Sequence, residues 1–244
     1  MLSAPVMLDL WERAEDLRPV ERALALAAAG GTPPEVAELE ALPLGRRDAR
    51  ILRLRRQVVG ETLEAIAACP ACAELVEFEV DAGALLARDG NATSPAPLEK
   101  QGFVVGWRPP DSRDVAAASG AADAAAAERV LLERCVAFAD APEGELEGPE
   151  LPSEVREVLT EAMAAADPLA EVLVDLACPA CETGFVADLD LAGFVWEEVR
   201  ERAQRLLREV HLLALAYGWT EPEVLGLSER RRAEYLRLAR EGVA

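Results

Sequence analysis

The chain is 244 residues long and has one histidine, one lysine and only 5% aromatic residues. Few aromatics and abundant alanine mean that the core must be assembled from Leu, Val and Ala, which packs helices more readily than it builds a large sheet. Every basic residue but Lys100 is arginine, which fits a GC-rich genome rather than a recognition device. Cations are also scarce overall: 25 Lys and Arg against 45 Asp and Glu leave a formal charge of -20 and a pI near 4.5. That balance argues against a general nucleic-acid binder, because phosphate attraction needs an excess of positive charge. The chain has no basic amino-terminal segment followed by an apolar stretch, and no apolar run approaches the roughly 18 residues of a membrane span. The expectation is a soluble, cytoplasmic protein. Hydrophobic residues make up 51%, enough to bury a core and well outside the composition of disordered chains.

His211 would need a positioned nucleophile and a charge partner to act as a base. The sequence supplies neither Gly-x-Ser-x-Gly nor a phosphate-cradling glycine loop, so this residue reads as structural or interfacial. The acidic stretch Glu143 to Glu150 lacks the ligand spacing of a calcium loop and reads as solvated.

The first 68 residues read as a helical region: Leu8–Leu17, Pro19–Ala29, and an arginine-rich helix after Gly45 that continues to Cys69. In that helix Ile51, Leu52, Val58, Val59, Leu63 and Ile66 share a stripe, with Arg46, Arg50, Arg53 and Arg56 outside it. The arginines are a solvated face or, alternatively, a docking face for an acidic partner or RNA. Residues 98–168 read as an inserted segment, with a strand at Gly102–Arg108, a helix at Ala121–Phe138 and another from Ser153 to Ala166. The stretch Asp89–Pro97 looks like a linker. Alternation in Leu75–Val80, and again in Val172–Leu176 and Phe185–Leu189, predicts strands. The last 54 residues, 191–244, form a helical unit: a long helix to Tyr217, Gly218 as its stop, a capping box at Thr220–Glu223 and a final helix from Ser228. From Glu197 onward acidic residues and arginines balance, so the whole negative charge lies upstream.

Of the five cysteines, four form two copies of Cys-Pro-Ala-Cys, Cys69–Cys72 and Cys178–Cys181. Two knuckles with two-residue spacers are what a tetrahedral four-thiolate zinc site requires, and four thiolates close the shell, leaving no open position for catalysis. The expected fold is mainly α with small β elements: a discontinuous zinc-ribbon-like module, residues 69–82 and 170–190, holding one structural zinc between helical ends. A thiol–disulfide redox pair is a rival reading, since Cys-Pro-x-Cys occurs in such sites too. So are two separate or degenerate sites, or a lost metal. Knuckles often carry glycine after the second cysteine, where φ is positive; here Ala73 and Glu182 stand there, with Gly184 placed to relieve only the second turn. Cys135, among apolar neighbours, reads as a buried small hydrophobe.

One set of residues goes further: the second knuckle with Phe194-Val195-Trp196-Glu197-Glu198, Arg205 to His211, Tyr217-Gly218-Trp219-Thr220-Glu221 and Arg231 to Leu236. Upstream stand Pro43 to Asp48, Cys69-Pro70-Ala71-Cys72 with Glu74 and Glu77, and Arg108-Pro109 leading to Asp114. In this order they resemble the T-even-type phage baseplate proteins, or baseplate hub assembly chaperones, of contractile phage tails and phage-tail-like extracellular contractile injection systems. The resemblance covers most of the chain, and the carboxy-terminal block is its specific part. It implies a non-enzymatic protein with baseplate, hub, spike or tail partners and no small-molecule substrate. Tyr217, Trp219 and Tyr235 are the candidate contact residues, or else they merely close a helical hairpin. The alternative class is a zinc-ribbon accessory of transcription or translation.

Overall fold

The computed structural model describes residues 3–30, 35–89, 96–141, 144–145 and 151–241. Most of the expected linker and most of the acidic loop lie outside the described residues. The fold mixes helix and strand, with helix dominant and the sheets small.

The chain opens with α1 (Ala4–Ala14), α2 (Pro19–Ala29), α3 (Val36–Glu40) and α4 (Leu44–Val58). Proline sits in the first turn of α1 and of α2, where its missing N–H removes no helical bond, and the Glu21 carboxylate accepts from the Arg18 amide at 3.0 Å. The expected run of α4 into Cys69 does not occur. Gly60, at φ 133°, turns the chain, and Thr62–Ala68 forms a strand, β1, with Leu63 and Ala65 inward and Glu64 and Ile66 outward. Leu63 and Ile66, three apart, mimic a helical stripe, but burial alternates, and Ile66 is 61% exposed. β1 pairs antiparallel with β2 (Leu75–Asp81), so the first knuckle sits at the tip of a hairpin.

A short helix, α5 (Ala82–Arg88), leads to the insert. There β3 (Leu98–Lys100), β4 (Phe103–Trp107), β5 (Val136–Ala141) and β6 (Gly144–Glu145) form one antiparallel sheet in that order. Between β4 and β5 lie α6 (Ser112–Ala118) and α7 (Ala124–Cys135), and α8 (Ser153–Ala166) follows. The helix expected to reach Phe138 thus ends at Cys135, because Val136–Phe138 complete β5 beside β4. Ser153 is the first residue of α8 rather than its cap. Val105, Leu132, Ala139, Leu151, Val155 and Leu159 form the insert's own core.

The second hairpin, β7 (Leu173–Ala177) with β8 (Gly184–Asp188), is as expected. Then α9 (Leu191–Tyr217) runs 27 residues, about 40 Å at 1.5 Å per residue. Asp190 accepts from the Gly193 amide at its start, and Gly218, at φ 72°, ends it in the left-handed region. α10 (Glu221–Leu225) and α11 (Glu229–Glu241) fold back on its last turns.

Two cores meet along α4. Ile51 joins Leu8, Leu10, Leu26, Val195, Val199 and Leu206 in a helical core, while Ala49 and Leu52 join Leu63, Ala65, Leu85, Leu169, Val172 and Leu191 beneath the hairpins. At Gly45 a side chain would strike Asp167 and the Ala170 backbone, so glycine is what lets α4 start this close; the Gly45 amide donates to Asp167 at 2.8 Å. Among the described residues, no helix is long and apolar enough to cross a membrane.

Candidate metal centre

The two knuckles are built alike. In the first, the Cys69 amide donates to the Glu74 carbonyl at 2.8 Å and the Ala73 amide to the Cys69 carbonyl at 2.9 Å. In the second, Cys178 donates to Thr183 at 3.0 Å and Glu182 to Cys178 at 2.9 Å. Closing so tight a loop forces the residue after the second cysteine into the left-handed region: Ala73 at φ 63° and Glu182 at φ 59°. Gly184 does not relieve the second turn, since its φ is not positive. Both knuckles therefore hold a non-glycine residue in a backbone conformation that costs an L-residue about 1–2 kcal/mol.

The hairpins bring the tips together across 105 intervening residues, counted as 178 minus 72 minus 1. Cys69 and Cys181 Sγ atoms are 3.7 Å apart, those of Cys72 and Cys178 are 3.5 Å apart, and all four lie within 4.8 Å of one another. These are the dimensions of one tetrathiolate site, because four sulfurs at about 2.3 Å from a central ion stand about 3.8 Å from each other. They are also far beyond a disulfide bond of about 2.05 Å. Cys69 and Cys178 are buried with Val76 and packed on Phe185, whereas Cys72 and Cys181 are exposed. So all four expected ligands converge, and they form a single site.

The electrostatics favour a cation there. No basic residue occurs between Arg56 and Arg88 or between Arg156 and Arg200, stretches that carry six and ten acidic residues. Without an ion the four thiols cannot all ionise. Hydrogen bonds from the Thr183 hydroxyl and then its amide pull Cys181 down to about 6. At Cys72 the Glu74 amide favours the thiolate, but contacts with Cys181 and Cys178 and desolvation outweigh it and push the group up to about 12. A divalent ion would replace the remaining protons. Thr183, which the motif does not advertise, is thus a supporting residue of the site; its position two after the second cysteine is the only cue.

Cys135 stays apart from this centre. It is buried and its thiol donates to Asp114 at 3.6 Å; burial, with the Asp114 charge, raises it to about 12, as fits an inert core residue. Asp114 is the hub of a network that the sequence reading did not anticipate. Its carboxylate takes both Arg108 NH groups at 2.6 and 3.0 Å, Arg134 at 2.8 Å and the Asp111 amide at 2.9 Å. With Leu44 donating to Pro110 and Arg47 to Ser112, this network docks the insert against α4.

No protein family, curated protein or solved structure matches the chain.

The arginines of α4 are largely engaged by the chain itself. Arg55 is buried and holds Glu198 at 2.8 and 3.0 Å, Arg53 meets Asp89 at 2.6 Å and Arg56 meets Glu61 at 2.6 Å. His211 is exposed on α9. Tyr217, Trp219 and Tyr235 come together: Tyr217 stacks on Trp219 at 4.7 Å, Tyr235 meets both edge-on at 5.8 and 4.8 Å, and the Tyr217 hydroxyl donates to the Tyr235 carbonyl at 3.3 Å. The cluster rests on Leu213, Val224 and Leu236, so it closes the carboxy-terminal helices on one another. Its edge remains open, with Tyr217 39% exposed and Leu212, Leu215 and Leu238 also facing water.

Proposed function

We propose that this chain is a non-enzymatic component or assembly chaperone of the baseplate or hub of a contractile, phage-tail-like injection machine, with its hairpin tips fixed by one structural zinc and acting through protein contacts. The carrying observation is that the two knuckles quoted in the resemblance, 105 residues apart, meet as one four-sulfur site. A closed tetrathiolate shell suits zinc and leaves no coordination position for a substrate. The ion belongs to Cys69, Cys72, Cys178 and Cys181 and serves to fix the hairpins. Partner contact falls to the carboxy-terminal unit, through the open edge of Tyr217, Trp219 and Tyr235 with Leu212, Leu215 and Leu238. This unit carries no net charge, so a protein can approach it without meeting the charge of -20 upstream.

An accessory role in transcription or translation is the weaker reading, because the arginines that would touch RNA are committed to Asp89, Glu61 and Glu198. The test is capture of the tagged protein from its native host at moderate salt. Recovery of baseplate, spike or tail-tube proteins is expected; recovery of polymerase, ribosomal proteins or RNA alone overturns the reading. A Trp219→Ala variant refines it. Loss of a half-buried indole should destabilise the unit by about 2–3 kcal/mol, and the contact assignment fails if the variant, held below its melting range, still captures the same partner.

A further inference from the structure

The outward face of the first hairpin is composed at the expense of the isolated protein. Register places Glu64 directly across from Glu79, Ile66 across from Glu77, and Ala68 across from Leu75. Like charges directly opposite one another on a sheet are destabilising, and a lysine at either position would stabilise it instead. Among the described residues, the carboxylates of Glu64, Glu77 and Glu79 have no ion pair or hydrogen bond. Beside them Ile66 is 61% and Leu75 64% exposed. The face therefore grades from carboxylates at its base to apolar side chains beside the knuckle.

At its base the face continues into an open cleft of about 550 Å³ between the hairpin and α9, lined by Glu61, Glu64, Glu197, Glu198 and Glu201 around Arg55. Glu64 belongs to both. Arg55 and Glu198 neutralise each other, Glu61 is taken by Arg56 and Glu197 by Arg200, which leaves Glu64 and Glu201 unpaired. A closed tetrathiolate around a divalent ion adds two further negative charges at the other end.

We infer that this hairpin face is a docking surface for a basic, partly apolar segment of a partner protein, its cations meeting Glu64, Glu77 and Glu79 and its apolar side chains covering Ile66 and Leu75. Charge selects the occupant. Nucleic acid and anionic lipid are repelled, and a second copy of the chain brings its own charge of -20. A bare metal cation would use the carboxylates and leave Ile66 and Leu75 wet. The inference does not depend on which machine the protein serves.

The test uses the full zinc-loaded chain and a fluorescent peptide of alternating arginine and valine, seven residues long, with a glutamate–valine peptide as control. Anisotropy should show binding of the arginine peptide alone, weakening as salt rises. E64R/E79R should lower affinity about tenfold or more, and I66S/L75S severalfold, while the matched charge reversal E157R/E161R on α8 changes it less than twofold. E64R/E79R should melt no lower than wild type, which separates lost docking from lost folding. Equal effects of the two charge reversals would overturn the inference, as would indifference to I66S/L75S or salt-sensitive self-association abolished by E64R/E79R.

Discussion

Replacing Ala73 by glycine should make the protein more stable, although it removes a side chain and loosens the unfolded chain. Ala73 sits at φ 63°, where its Cβ crowds the following carbonyl at about 1–2 kcal/mol. Glycine is free of that penalty and loses about 0.4–1 kcal/mol through the greater freedom of the unfolded state. The net expectation is a gain of about 0.5–1 kcal/mol, or roughly 1–4 °C in Tm for a chain of this size. Glu182→Gly, at φ 59° and with an exposed, unpartnered side chain, should give the same. The control is Ala71→Gly in the same knuckle. Its φ is not positive, so it should lose about 0.5–1 kcal/mol. Urea denaturation at a fixed excess of free zinc reads all three variants. If A73G and A71G were destabilised alike, the knuckle backbone would not be left-handed at residue 73, and the strain argument would collapse.

Removal of Asp114 probes the network inside the insert: D114N takes the charge from the hydrogen bonds of Arg108 and Arg134, which are 42% and 40% exposed and so stay hydrated, and should cost about 1.5–3 kcal/mol by denaturant titration. The guanidinium of Arg108, the Asp111 amide and Arg134 outweigh burial and hold Asp114 well below the usual carboxylate range. Its contribution is therefore fully present above the ordinary aspartate pKa and is lost as pH falls toward the depressed value, so D114N should flatten the acid limb of the stability curve. Asp167 has the opposite sign. Burial raises it, partly offset by the Gly45 amide, so its ionisation costs stability as pH rises through the raised value. D167N, which keeps an acceptor for that amide, should accordingly be more stable than wild type at pH 7 and lose its advantage below about pH 3.9; a constant difference across pH would refute this. Chelation should expose four thiols to alkylation while Cys135 stays protected, with little loss of helical circular dichroism.

What the sequence made legible depended on how unambiguous each periodicity was. The four-cysteine cluster, the second hairpin and the span of α9 followed from a repeated tetrapeptide, strict alternation and two clear caps. The stretch 59–68 misled because Leu63 and Ile66 lie three apart, a helical offset, while the alternation that decides the matter rests on Ala65 and Ala67, which carry little hydrophobic signal. The end of α7 misled likewise: Val136–Phe138 continue an apolar run, and only pairing with Gly106 and Trp107 makes them a strand. Buried charge was invisible altogether. Arg47, Arg55 and Asp114 look like surface residues until their partners, up to 143 positions away, are placed beside them.

The long separation of the knuckles then finds its explanation in the core rather than in the metal. Closing a free loop of 105 residues would cost about 4 kcal/mol, and a zinc ion could supply it. Yet the chain leaves the first hairpin through Ala82 and Leu85 and returns to the second through Leu169 and Val172, and these four residues pack in one cluster with Ala49 and Leu52 of α4. Apolar burial therefore joins the ends of the insert independently of the cysteines. The insert has its own core and meets α4 through Leu44 on Pro110, Arg47 on Ser112 and Gly45 on Asp167, so it adds little to the entropy that an ion would have to overcome. What would remain for an ion is the far end of each hairpin, where Cys69, Val76, Cys178 and Phe185 form only a small cluster beside two strained turns. The work of a bound ion would thus be local: it would fix the tips, and with them the acidic and apolar face that the first hairpin presents.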